Sequence, residues 1–288
     1  MNYSIINYNN IKKVLRGKGL NLYYKYSKPC FGINTQEKRH KKIIISLTSY
    51  PARLNTLHLC IKSLMNQTYK PDKIILYLGE DTKRSDIGSD LIELKDYGLT
   101  IITDVENLGP HKKYYYAVKE YPNDIIITVD DDVIYDELLV ESLIDSYNKY
   151  PNCVSARRVH KILTDSIGKI RPYNSWQWNC KNILDPSKEL FATGVGGVLY
   201  PPECLNSEVF NKDNIKKLCM NADDVWLKFM EIMNDTAVAW VNSYINHPAV
   251  INGTQGLSAL NKSNVLRCQN DVYIERMSNY FQCSLLGR

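Results

Sequence analysis

Residues 124–136, DIIITVDDDVIYD, constrain this chain more than any other stretch. Ile125 to Val129 is β-branched throughout, which predicts a short strand buried on both faces. Asp130, Asp131 and Asp132 follow without a break. A strand covered on both faces belongs to an open α/β sheet, and ligands bind in the crevice beyond the carboxyl ends of such strands. On extended backbone residues i and i+2 point the same way, so Asp130 and Asp132 are expected to face one site. Two carboxylates that close repel unless a cation joins them, and a hard divalent ion, Mn²⁺ or Mg²⁺, suits oxygen ligands. Taken alone, the run also fits a solvated acidic loop capping the next helix.

The elements before it follow one rhythm. Strands are expected at 43–47, 73–78 and 99–102, and helices at 54–66, 91–95 and 111–120. With the acidic strand this alternation reads as α/β, a Rossmann-like doubly wound sheet. The first strand–helix turn lacks GxGxxG, so a nucleotide is not held in the dehydrogenase manner. After residue 151 come a strand at 153–156, an irregular aromatic stretch at 165–190, the glycine-rich TGVGGVLY at 193–200, a helix at 221–233 and a strand at 237–241.

Composition matters chiefly through its asymmetry. Residues 1–42 hold ten Lys or Arg against the single acid Glu37, whereas the remainder is slightly acidic. This basic leader carries a weak helical stripe (Ile5, Ile6, Ile11, Val14, Leu15) and suits an anionic surface. No run of eighteen apolar residues predicts a spanning helix, and the first residues lack the features of a secretory signal. The eight cysteines form no CxxC pair, which argues against a zinc ribbon and for reduced core thiols in a cytoplasmic protein.

Taken in order, these motifs resemble the GT-A fold glycosyltransferases, most closely the family 2-type enzymes that build bacterial surface polysaccharides such as lipopolysaccharide or capsule. The shared features are a Thr/Ser-Tyr-Pro-x-Arg turn after the first strand, a DxD-type run, a glycine-rich segment and a late acidic pair opening a helix. The resemblance implies a single main GT-A domain with a mixed sheet over 43–245, divided into a nucleotide-binding half at 43–135 and an acceptor half at 136–245. A basic leader at 1–42 precedes it, and a tail at 246–288 follows, whose Asn252–Gly256 loop would close over the donor. It places Thr48, Tyr50, Arg53, Asp81, Gly109, Lys113, Asp130 and Asp131 beside the donor; the segment around Asp81 reads LGED instead of the commoner aspartate-glycine-serine. Asp132 and Asp130 would hold the metal, with His247 a third ligand. Asp224, with Asp223 the alternative, would serve as catalytic base in an inverting transfer. Trp176, Trp226, Gly196 and Gly197 would meet the acceptor.

Chemistry independent of the resemblance agrees. A leaving nucleoside diphosphate gains negative charge that a divalent ion and fixed cations neutralise, and an acceptor hydroxyl needs a nearby carboxylate to take its proton. The expected partners are a UDP- or GDP-sugar, a glycan or lipid-linked acceptor, and peripherally the inner face of the cell membrane through residues 1–42, with no nucleic acid. The competing readings are a non-catalytic nucleotide-sugar or carbohydrate-binding module and a metal-dependent nucleotidyl- or phosphotransferase; the absence of P-loop and kinase motifs weighs against the last.

Overall fold

The computed structural model describes residues 8–242, 248–254 and 268–287, with side chains from residue 14 onward. Helix α1 (Tyr8–Tyr26) precedes the alternating half: β1 (Ile43–Ser49), α2 (Leu54–Met65), β2 (Lys73–Gly79), α3 (Ser89–Glu93), β3 (Leu99–Val105), α4 (Lys112–Glu120) and β4 (Ile125–Thr128). These four strands are parallel, in the spatial order β4-β1-β2-β3.

Pleating explains why both faces are covered. Ile43, Ile45 and Leu47 of β1 join Leu57, Ile61 and Leu64 of α2 in one core, while Ile44 joins Ile75, Tyr77, Ile126 and Ala117 of α4 in another. Each fully buried Leu or Ile contributes about 1.5–3 kcal/mol relative to an exposed one, so the alternation fixes register strongly.

The second half departs from simple alternation. Strand β5 (Val133–Ile134) and helix α5 (Leu139–Lys149) lead to β6 (Val154–Ala156), β7 (Val159–Lys161), β8 (Leu190–Ala192) and β9 (Val198–Tyr200). Helices α6 (Lys212–Leu218) and α7 (Asp223–Met233), strand β10 (Val238–Trp240), strand β11 (Ala249–Val250) and helix α8 (Gln269–Phe281) complete the order. Among the described residues the main sheet has seven strands, ordered β10-β6-β9-β4-β1-β2-β3. Strand β9 lies antiparallel between β4 and β6 and makes the sheet mixed.

The aspartates occupy the step between two sheets. Beyond β4 the chain leaves the main sheet, and β5 pairs antiparallel with β11 instead. Asp130 to Asp132 are the crossing between them, further pinned by the Ile251 amide, which donates to the Asp132 carbonyl at 2.9 Å.

Both termini fold onto this frame. Leu20 and Tyr24 of α1 pack into the core, and the Asn21 side chain donates to the Val250 carbonyl at 3.0 Å and accepts from the Asn252 amide at 3.0 Å. Residues 252–254 therefore form a turn tied to α1; Gln255, Gly256 and His247 lie outside the described residues. Phe281 of α8 meets Trp226 and Phe229 of α7, a helix the tail's sequence did not announce. All eight cysteines are free thiols, four of them buried. No helix among the described residues is long and apolar enough to cross a membrane.

Candidate active site

Two strand ends and two helix starts meet at the carboxyl edge of the sheet. Ser49 ends β1, the aspartates follow β4, Lys113 stands in the first turn of α4, and Asp223 and Asp224 open α7. Helix starts favour carboxylates because their unpaired amides carry partial positive charge.

The three aspartates do different things. Asp131 is buried; it accepts from Ser49 Oγ at 2.6 Å and from the Arg53 guanidinium. It locks the run to the β1 turn. The same guanidinium reaches Asp132 Oδ2 at 3.1 Å and lies over the Tyr50 ring, 5.3 Å from its centroid. Asp132 is pushed up to about 6, first by burial and then by the charge of Asp130, with Arg53 opposing. The charge of Asp130 thus reaches Asp132.

Lys113 is the hub. Its Nζ lies 2.8 Å from Asp130 Oδ1 and 2.8 Å from Asp223 Oδ2. Burial works against its charge, but Asp130, Asp223 and Asp224 outweigh that and hold its pKa high. Its position is fixed by Ser46 Oγ, which donates to the Lys113 carbonyl from the α4 side of β1. The two late carboxylates separate as a result. For Asp223 burial favours the neutral acid, yet Lys113 overrides it and keeps the pKa low. Asp224, half-buried and without that contact, is pushed up by burial and by the charges of Asp223 and Asp130. The Gly194 amide donates to its Oδ1 at 3.1 Å.

Gly194 also marks where these groups come together. A Cβ built there would lie 2.9 Å from Lys113 Nζ, 3.1 Å from Asp130 Oδ1 and 3.3 Å from Asp224 Oδ1. The missing side chain at 194 therefore lets one cation, one acid of the aspartate run and one acid of the late pair close around the same point.

The remaining expected residues divide. Thr48 is half-buried and donates to the Tyr77 carbonyl at 2.8 Å. Asp81 is exposed beyond β2, and its charge faces buried Lys112, whose Nζ donates to Asn107 at 2.7 Å. Gly109 has a positive φ of 57°, and a Cβ there would meet the Met220 carbonyl at 3.1 Å. It brings the start of α4 against the loop before α7, which is a packing role.

Four expected acceptor contacts do not match their places. Gly196 is needed because Arg158 Cβ would lie 2.8 Å from its side chain, and Gly197 because Leu139 would lie 2.6 Å away and its φ is 85°. Trp226 is fully buried against His111 and Phe281, and Trp176 is buried against Tyr173 and Phe191. Neither indole face is open to a sugar. Trp178, half-buried and stacked on His160 with centroids 4.7 Å apart, is the better exposed aromatic of that region.

Two residues of the site carry no mark in the sequence, and a third, Ser49, stands there only as part of the Thr/Ser-Tyr-Pro-x-Arg turn. Ser49 anchors Asp131. His111 is buried, pushed down to about 4 by burial, and so neutral. Its Nε2 donates to the Cys219 carbonyl at 2.9 Å and its Nδ1 accepts from Tyr114 Oη at 2.9 Å, which fixes the loop that opens α7. Arg158 lies beside Thr193, and lone residues of these types carry no spacing signature. A cavity of about 150 Å³ lies at the opposite end of β4, against Tyr121, Pro201 and Phe210, and contains none of these groups.

Comparison with known proteins decides the family. The glycosyl transferase family 2 model matches residues 44–196, just over half the chain, including β4 and β5 on either side of the aspartates. The chain belongs to glycosyl transferase family 2. No curated protein matches this glycosyltransferase. Among solved structures it is similar to a mannosyltransferase from Pyrobaculum calidifontis, in complex with GDP-mannose and Mn²⁺, with TM-score 0.50 at 10% identity over 94% of this chain and 74% of that one. That likeness establishes the GT-A fold. Looser matches are a CMP:2-keto-3-deoxy-manno-octonic acid synthetase (TM-score 0.38, 13% identity, 81% of this chain and 100% of that one) and a 4-diphosphocytidyl-2C-methyl-D-erythritol synthase (0.44, 11%, 81% and 100%). Neither superposition is close enough to bear on function.

Proposed function

We propose that this glycosyltransferase moves a sugar from a nucleoside-diphosphate donor to an acceptor hydroxyl, with Asp224 as base and inversion at the sugar carbon. The observation that supports the reading is the convergence of Lys113, Asp130 and Asp224 around Gly194, each within 3.3 Å of where a Cβ would stand. An acceptor hydroxyl brought to this cluster would have a proton acceptor in Asp224, and Lys113 offers a fixed positive charge to the developing negative one.

Asp130 and Asp132 fit a divalent ion, Mn²⁺ or Mg²⁺. They are hard oxygen ligands at a half-open crevice, and the charge of Asp130 adds to burial in raising the Asp132 pKa, a cost that a cation between them would relieve. No cluster of three metal-ligating side chains exists among the described residues, and His247 lies outside them; water and substrate oxygens would complete the shell, as Mg²⁺ commonly takes them. A bound ion would neutralise charge on the leaving diphosphate. Arg53 then orients Asp132, and Asp131 holds Arg53.

The test is a panel of UDP- and GDP-sugars, scored for metal-dependent hydrolysis or transfer. Asp132→Ala should abolish the thermal stabilisation that nucleotide and Mn²⁺ give together, and leave the melting temperature without ligand nearly unchanged or raised. An Asp132→Ala protein with wild-type turnover sinks the metal assignment.

A membrane-proximal, lipid-linked acceptor of surface polysaccharide synthesis is the reading that the leader supports. Helix α1 buries Asn21 and Tyr24, half-buries Leu20 and exposes Leu15, Leu22 and Tyr26. The exposed three recur on one face, with Arg16, Lys18 and Lys25 nearby, each cation contributing about 1 kcal/mol beside anionic lipid. The double substitution Leu15→Glu, Leu22→Glu should remove sedimentation with anionic vesicles at low salt and preserve donor hydrolysis. Undiminished sedimentation would exclude α1 as the contact.

A further inference from the structure

The site's other cations have carboxylates nearby. Arg53 faces Asp131 and Asp132, Lys113 faces Asp130 and Asp223, and Lys112 lies in the field of Asp81 and Asp131. Arg158, like Lys112, lies in the field of carboxylates, Asp224 and Asp130, without pairing to one. Its Nε donates to Asn179 Oδ1 at 2.6 Å and its Nη1 to Thr193 Oγ1 at 3.1 Å, both neutral acceptors. Among the described residues its Nη2 has no hydrogen-bond partner, and the guanidinium forms no ion pair.

Its placement is deliberate in the chain's geometry. The Thr193 amide donates to the Arg158 carbonyl at 3.1 Å, and the absent side chain of Gly196 lets the 193–197 loop close over Arg158, whose backbone nitrogen lies 2.9 Å from where a Cβ would be. The next residue after Thr193 is Gly194, whose amide holds Asp224. Burial lowers the Arg158 pKa, and the fields of Tyr173, Asp224 and Asp130 offset this only in part. A guanidinium does not deprotonate in a protein, so Arg158 keeps its charge, only partly offset by carboxylates that make no hydrogen bond to it.

We propose that Arg158 binds an oxyanion of the substrate, a phosphate or a carboxylate, next to Asp224. The fork is pre-set by Asn179 and Thr193, leaving Nη2 to donate a charge-assisted hydrogen bond. Two sources carry that chemistry: the donor's diphosphate, or an acidic group on the sugar acceptor. The inference rests on the sugar-transfer reading for its context, but its test does not.

The experiment is calorimetric titration, in Mn²⁺, of UDP, GDP, uridine, inorganic phosphate, glucuronate and glucose into wild type, Arg158→Gln and Asn179→Asp. The Asn179→Asp variant keeps the shape and gives Arg158 an internal carboxylate, so it serves if Arg158→Gln does not fold. Both variants should weaken at least one oxyanion by about tenfold or more and leave uridine and glucose unchanged. Loss confined to UDP and GDP assigns the donor diphosphate; loss confined to glucuronate or phosphate assigns an acidic acceptor. Variants that fold and bind every probe as wild type does overturn the inference, as does a wild type that binds no oxyanion. A wild type that ignores both nucleotides yet binds phosphate through Arg158 overturns the nucleotide-donor reading and leaves this one standing.

Discussion

Asp224→Asn should lower turnover by ~10²–10⁴-fold while leaving donor affinity within about twofold. Asparagine keeps the shape and the contact with the Gly194 amide region but cannot take a proton. The pH behaviour provides a second readout. The Asp224 carboxyl is pushed up to about 8 by burial, then by Asp223 and Asp130, from an ordinary value of 3.8. Activity without bound substrate limits should therefore climb towards pH 8 as the base ionises, read in kcat/KM. Stability runs the other way. A carboxyl whose folded pKa is raised binds its proton more tightly when folded, so its contribution is full below pH 3.8 and is lost as pH rises through about 8. Asp132, raised to about 6, acts in the same sense. The ligand-free wild type should melt at progressively lower temperature between pH 4 and 8, and Asp224→Asn should flatten that slope. Unchanged turnover removes Asp224 from the chemistry; lost donor affinity with normal turnover makes it a binding residue.

Lys113→Met should be the most destabilising substitution in the site, at about 3–5 kcal/mol near pH 7.5. It removes the partner of both Asp130 and Asp223 and leaves these two and Asp224 without their shared cation. Breaking a buried pair on one side costs more than the pair contributes, because the surviving charge stays desolvated. The loss should shrink below pH 4, where the carboxylates accept protons, and grow smaller again with bound Mn²⁺. Urea unfolding across that pH range measures it. A loss under about 1 kcal/mol would show that water or another cation replaces Lys113, in which case it is not the hub.

Local pattern carried much of this protein. The β-branched run at 125–129 and the alternating apolar elements from Ile43 onward specified a doubly wound sheet, because period-2 and period-3.6 burial are properties of adjacent residues. The acidic run, the Lys112-Lys113 pair and the acids opening α7 were equally legible as charges at element ends. The helix start at Asp223 and the strand end at Thr128 fall within two residues of the sequence reading.

What only the tertiary structure decided is which of these charges meet. That Lys113 bridges Asp130 to Asp223, and that Arg53 divides itself between Asp131 and Asp132, depends on residues up to 110 positions apart. The antiparallel insertion of β9 brings Gly194 to that junction, and no local periodicity encodes a strand's neighbour in the sheet. The glycines and tryptophans show the same limit. TGVGG reads alike whether its bare Cα atoms face a sugar, Arg158 or Leu139, and Trp226 reads alike as a binding face or as core. Composition fixes what a side chain can do; the packing of distant elements around it fixes what it touches, and that free energy is summed over contacts the sequence does not order locally.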